Sequence, residues 1–482
     1  MKKKALVTAL MAGMTGAMGI VGVSNAVHVN PDGTGQVLIY PYYTTRNEND
    51  TLISVVNTTD EVKAIKVRFI EGENSREVLD FNLYMSPFDV WTASITEGAN
   101  GPKFQTTDSS CLVPNITEFD FQTLLFNDGG RTSVDRAREG YVELIEMGNV
   151  VGPLAGNAIH AGGTPSNCAA LSSAWVGGGV WAQNPDDQMS PPSGGLFGDG
   201  VVINVPGARA MGYDPVALDG FFVPIDNGDG TFTPRVSLHS NPGDLDPSLS
   251  DVFPLESTVV LAAGPGVFPV TDTWITAPAS IFPVNAVLNT NAIMNQYATE
   301  DNINGATEWV VTFPTKRPHV VGPAVAPFTS VFDGEACEEV ILEFWDREEA
   351  QTPVGGPPVS PAPGSGNDEL CYEVNVVTFS NSVSSQGAAA NEANDIASDV
   401  LSSRLFVDFG LETSPGFDSG WGSLEFNGNG AGGAIVHEFV ADSGNTYVGL
   451  PTVGFAVRAA DNASINALFG VSSKHKYTRV IQ

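Results

Sequence analysis

DTLISVVNTTDEVKAIKVRFIEGENSREVLDFNLYMSPFDVWTASI, residues 50–95, is the stretch whose reading decides the fold. Thr51 to Val56 is rich in β-branched side chains, which suit extended backbone. Asn57-Thr58-Thr59-Asp60 marks a turn, because Asn and Asp bond their own backbone and tolerate left-handed geometry. Val62 to Ile70 follows, with Val62, Ala64, Val67 and Phe69 set among Lys63, Lys66 and Arg68. The alternation slips at Ala64-Ile65, where a bulge restores the phase. Glu71-Gly72-Glu73-Asn74 turns the chain again, Val78 to Tyr84 pairs back, and Trp91 to Ile95 follows Pro87. Short strands at close spacing with turns between them predict a β-sandwich with Phe69, Phe81 and Trp91 in its core.

Working outward, Met1 to Ala26 reads as a signal peptide. Lys2, Lys3 and Lys4 open it, Ala5 to Val23 is uncharged, and Ser24-Asn25-Ala26 offers small residues for cleavage. An uncleaved anchor is the other reading, and the glycines of Ala5–Val23 weaken it. No later stretch is long and apolar enough to span as a helix. The expectation is an exported chain at the cell surface or outside the cell, with the periplasm as a further location.

After the leader, residues 27–147 form the N-terminal β-sandwich region. Tyr40, Tyr42 and Tyr43 around Pro41 read as an edge strand, since Pro cannot donate to a ladder, with an aromatic platform for sugars as the alternative. Residues 148–282, rich in Gly, Pro, Asn and Asp, read as a loop-rich insertion. Residues 283–482 form a C-terminal β-rich region. Within it, Val284, Val287, Leu288, Met294 and Tyr297 have helical spacing over 283–298, and Asn391 to Leu401 is a second short helix. The fold class expected is mainly β, with Ig-like β-sandwich units, that insertion and one or two short helices.

The chain carries 22 basic and 55 acidic residues, a formal charge of −33. Without the three leader lysines, 19 basic residues remain against 55 acidic, or −36. Such a polyanion repels nucleic acid and anionic membrane and favours divalent cations. Four cysteines, Cys111, Cys168, Cys337 and Cys371, suit two disulfides in an exported chain. Three connectivities are open, and locality favours Cys111 with Cys168 and Cys337 with Cys371. Their spacing does not match a zinc site.

Catalytic motifs are scarce. No G-x-S-x-G elbow occurs, and His437-Glu438 lacks the second His of a zinc protease, since Ala441 stands there. Asp346, Glu348 and Glu349 beside Trp345 suggest a glycosidase pair, against the simpler reading of a solvated strand end. Asp226, Asp229, Asp244, Asp246 and Asp251 crowd one span and are the candidate Ca²⁺ ligands, with Asp186-Asp187 next. The EF-hand pattern fails there, and Asp229-Gly230 also reads as a hairpin turn.

Several longer motifs bear on kinship: NPDGTGQVLIYPYYT at Asn30–Thr44, NTTDEVKAIKVRFIEG at Asn57–Gly72, LDFNLYMSPFDVWTASI at Leu79–Ile95, TEWVVTFPTKR at Thr307–Arg317, CYEVNVVTF at Cys371–Phe379 and GLPTVGFAV at Gly449–Val457. With these motifs the chain resembles a family of exported, β-rich proteobacterial proteins described as hypothetical or cell-surface proteins. The resemblance implies surface or extracellular location and transfers no catalytic residue. The function expected is a non-catalytic structural protein of the cell surface, with calcium-assisted self-association into a layer or matrix. A binding module for cell-surface glycan or a hydrophobic ligand is the alternative.

Overall fold

The computed structural model describes residues 25–263, 266–300, 304–351, 368–379, 393, 395–408, 417–427, 437–462 and 467–482. The expected leader falls outside them, apart from Asn25 and Ala26. Strand accounts for 47% and helix for 10%, so the chain is mainly β. Among the described residues no helix is long and apolar enough to cross a membrane.

The quoted stretch divides between two facing sheets. Asn49–Asn57 pairs with Val90–Gly98, while Val62–Glu71 pairs with Glu77–Met85 opposite. The first sheet has six strands, in the order Arg209–Tyr213, Leu196–Asn204, Asn49–Asn57, Val90–Gly98, Gly101–Gln105 and Glu118–Asp120. The second runs His28–Val29, Val216–Asp219, Val37–Thr44, Glu139–Val150, Val62–Glu71, Glu77–Met85 and Cys111–Val113, with Met189–Ser190 paired to Glu139–Val150. Between them Phe69, Phe81 and Trp91 are fully buried with Phe104 and Phe121. The slip at Ala64-Ile65 is absorbed on the partner strand. There Glu146 faces Ile65 and Gly148 faces Ala64, leaving Met147 as the extra residue.

Two expectations need correction. Val37–Thr44 is a central strand, not an edge, with Tyr40, Tyr42 and Tyr43 all buried. Pro41 is tolerated because the ladder to Glu139–Val150 is irregular beside it, Tyr43 facing Gly140 and Tyr40 facing Val142. On the other flank, Val216–Leu218 reaches only Val37 to Ile39. The second correction is the insertion. Leu196–Asn204 and Arg209–Tyr213 extend the six-stranded sheet and Val216–Asp219 the eight-stranded one, so this part of 148–282 is woven into the sandwich.

A second sandwich follows. One sheet runs Asp368–Leu370, Glu338–Asp346, Ser419–Glu425, Ala292–Ala298 and Lys476–Thr478; the other runs Phe406–Asp408, Val374–Thr378, Gly305–Thr312, Val453–Asn462 and Ala467–Lys474. The helix expected over 283–298 spans only Phe282–Leu288, and Ala292–Ala298 is a strand. Met294 and Tyr297, three apart, share a helical face but point to opposite sides of a strand; the buried pair is Ile293 and Tyr297, four apart, a spacing that satisfies both periods. Arg479 caps the short helix, donating to the carbonyls of Val287 and Asn289. The helix expected at 391–401 lies partly outside the described residues, and 396–401 is irregular.

The second sandwich packs on the back of the eight-stranded sheet. Thr312 Oγ1 donates to the Pro41 carbonyl at 2.6 Å and Tyr141 Oη to Pro314 at 3.2 Å, while Tyr213, at the edge of the six-stranded sheet, stacks on Phe455 at 4.6 Å. That sheet is therefore buried on both faces, which explains why all of Glu139–Val150 is buried. Its charged side chains survive there by pairing: Lys63 with Glu146 at 2.7 Å, Arg68 with Glu77 at 2.8 Å, and Glu139 with Arg46 at 2.6 Å.

This interior makes stability depend on pH. Burial raises Glu73, Glu77 and Glu308 from 4.5 to about 7. Burial lowers His239 from 6.5 to about 3, and His319 and His475 to about 4. Between pH 7 and 4.5 the folded chain holds glutamate protons that the unfolded chain has lost, so stability rises as pH falls. Below 6.5 the unfolded histidines bind protons that the folded ones refuse, which opposes the rise. Below 4.5 the histidine effect is joined by that of the depressed Asp128 and Asp135, and stability falls. Thermal melts should give the highest midpoint near pH 6, with lower values at pH 8 and at pH 4.

Both expected disulfides are formed, Cys111–Cys168 and Cys337–Cys371, and they are compatible with an exported protein. The second closes because Glu338 faces Leu370 across an antiparallel pair, so the chain returns alongside its own start.

Candidate functional site

Trp421 sits between two glycines, and the reason is local. Ser419–Glu425 lies between Glu338–Asp346 and Ala292–Ala298. A Cβ at Gly420 would come within 1.8 Å of the Trp345 carbonyl oxygen, and one at Gly422 within 3.1 Å of the buried Trp309 ring. With positions 420 and 422 bare on the inner side, strand alternation sends Trp421 outward. Register does the rest. Trp345 and Gln296 both stand opposite Trp421, on the same outer face. The two indoles stack with centroids 4.1 Å apart and planes at 11°, and Trp421 remains 41% exposed.

Two clefts flank Trp421, of about 430 and 400 Å³, and share Gln296, Trp421 and Arg458. Arg458 reaches from the neighbouring sheet and donates to Gln296 Oε1 at 2.8 Å. The first cleft adds Asp346, Arg347 and Glu349; the second adds Met294, Lys474 and Lys476. All 19 basic residues after Ala26 are described, and only Arg347, Lys474 and Lys476 among them are exposed. Each lines one of these clefts. Arg347 pairs with Glu300 and Lys474 with Asp214, both at 2.9 Å.

The sequence-derived candidates fare differently. Trp345 belongs to the site. Asp346 is committed to the turn, its Oδ1 accepting the backbone N–H of Glu348 and of Ala350. The five candidate calcium ligands are not gathered. Asp226 accepts from Gly228 N and Asp229 from Thr231 N in the hairpin Ile225–Asp226/Phe232–Thr233, while Asp251 caps a 3₁₀ turn through Ser248 N. Asp244, Asp246 and Asp251 lie close enough that burial and mutual repulsion raise Asp246. Asp186 accepts from Ser237 Oγ. Among the described residues, the one cluster of three donor side chains at ligating distance is Glu335 with Cys337 and Cys371, whose sulfurs are joined in a disulfide.

His160, which belongs to no sequence motif, bridges two loops. Its Nδ1 meets Ser86 Oγ at 2.7 Å and Asp89 Oδ2 at 3.7 Å, and its Nε2 meets Ser109 Oγ at 3.2 Å. The order resembles a nucleophilic relay. However, the close partner of Nδ1 is a hydroxyl, and Asp89 already accepts from Ser86 N, Val90 N and Ser110 Oγ. We read it as a clasp beside the Cys111–Cys168 bridge. Compared with protein-family models, curated proteins and solved structures, the chain matches none. The site therefore stands on its own geometry.

Proposed function

We propose that this chain is a non-catalytic, exported surface protein whose second sandwich binds acidic carbohydrate across Trp345 and Trp421. The observation that carries the reading is the coincidence of an exposed indole with every exposed basic side chain of an otherwise acidic molecule. A pyranose covers an aromatic face with its C–H groups, and planar amide and guanidinium groups orient its hydroxyls. Arg458, Lys474 and Lys476 supply the charge that a uronate or phosphorylated sugar needs. The commitment of Asp346 to its turn supports binding without hydrolysis.

Calorimetric titration with oligogalacturonates and with neutral cello-oligosaccharides tests this. The uronates should bind more tightly, with the preference falling as salt rises. Trp421→Ala should weaken binding by about tenfold or more with the melting midpoint unchanged. Equal binding of a single-stranded oligothymidylate would redirect the site to nucleic acid, and no binding of either sugar would end the reading.

A further inference from the structure

The eight-stranded sheet carries two unmatched features on opposite edges. On the His28–Val29 edge stands a hairpin, Glu256–Ala263 paired with Gly266–Thr273 and, among the described residues, with no third strand. Its base is fixed: Val27 and Ser257 form a bridge, and Asp272 accepts from Tyr447 Oη at 2.6 Å. Its far half is exposed and apolar, with Val267 at 66% and Phe268 at 56%. Between Glu256 and Asp272 the sequence carries no charge.

On the Cys111–Val113 edge lies the complement. Cys111–Val113 covers only Asn82 to Tyr84, and Glu77 to Phe81 has no strand partner on that side among the described residues, the Val78 carbonyl there accepting from Gln122 N at 2.9 Å. Beside this partly open edge is a mainly apolar groove of about 530 Å³ lined by Ile116, Phe119, Leu124 and Leu245, with Glu77 and Asp80 on the strand itself and Leu124 82% exposed. A free strand edge beside apolar side chains is a template for an incoming strand. Six strand spacings separate the two edges, about 29 Å.

We propose that the hairpin of one copy docks in the groove of the next. The partner is a second copy for two reasons. Knob and groove lie on opposite edges of one rigid sheet, so they cannot meet within a chain. At a net charge of −33, the uncharged hairpin is also a part of this molecule that approaches another copy with little repulsion. Such a head-to-tail contact does not close on itself and propagates into a filament or layer. The proposal is independent of the carbohydrate reading.

Light scattering and negative-stain microscopy of the exported chain, with Phe268→Asp and Leu124→Asp, test it. Both side chains are exposed, so both variants should melt like the parent. The parent should grow in mass with concentration, and each variant should associate about a hundredfold more weakly, because an unpaired carboxylate would enter the contact. An equimolar mixture of the two variants should stop at dimers, one good hairpin meeting one good groove. A parent that stays monomeric in millimolar calcium and in chelator overturns the proposal. So does assembly lost in Phe268→Asp but kept in Leu124→Asp, which would mean hairpins meeting each other. Flotation of a monomeric parent with phosphatidylcholine vesicles, abolished by Phe268→Asp, would assign the hairpin to lipid and overturn it too.

Discussion

Arg136→Met should destabilise the protein by about 3–5 kcal/mol, the usual cost of removing one partner from a buried ionic cluster. Arg136 is buried, with Nε 2.9 Å from Glu71 Oε2 and Nη2 2.8 Å from Asp128 Oδ2, and Glu73 lies 3.5 Å away. Methionine keeps most of the volume, so the loss reports the stranded carboxylates and not a cavity. Glu71 keeps some support, since it also accepts the backbone N–H groups of Glu73, Asn74 and Arg76. Asp128 loses the cation that, with Asn74, holds its carboxyl well below the ordinary range. The defect should therefore shrink as pH falls and the Asp128 and Glu73 carboxyls protonate, and Glu71→Gln in the same chain should restore part of it. Urea melts at pH 7.5 and pH 5.5 measure both effects. A variant as stable as the parent would mean that water reaches this cluster.

Phe81→Ala should cost a similar 3–5 kcal/mol for a different reason. Its ring lies 5.1 Å from Phe104, 6.0 Å from Trp91 and 6.3 Å from Phe69, all buried between the two sheets of the first sandwich. Rigid strands on both sides prevent collapse into the space left behind, so the cavity persists. Phe81→Leu should lose much less. Unlike the Arg136 variant, Phe81→Ala should show the same loss at pH 7.5 and pH 5.5, because no titrating group is stranded. A pH-dependent loss would place a buried charge nearer this core than its neighbours indicate.

Where polarity alternates, sequence and structure agree. Asp50 to Ile95 shows its strands, turns and phase slip, because one face of Asn49–Asn57 and of Val90–Gly98 meets the core while the other meets solvent. The reading weakens where burial comes from both sides. Val37–Thr44 carries Pro41 and looks like an edge, and the irregular ladder that shelters Pro41 comes from Glu139–Val150, about a hundred residues on. The insertion reads as loop-rich because its short strands are completed by partners far away in the chain. The candidate site was half visible. Trp345 drew notice through its acidic neighbours, but its partner Trp421 is 76 positions away and joins it only through register. The signal that could have found it is Gly-Trp-Gly itself, since bare inner positions on both sides of an aromatic point that aromatic outward.

The burial of basic side chains has a consequence for survival outside a cell. Proteases of the trypsin type must seize an accessible lysine or arginine in a flexible segment. Here Arg46, Lys63, Lys66, Arg136 and Lys316 are sealed inside the fold, and Arg317 is followed by Pro318. The exposed targets, Arg347, Lys474 and Lys476, gather on one face. A sugar chain lying over that face would cover them. Digestion of the intact protein would then begin at one patch, and a bound polysaccharide would delay it.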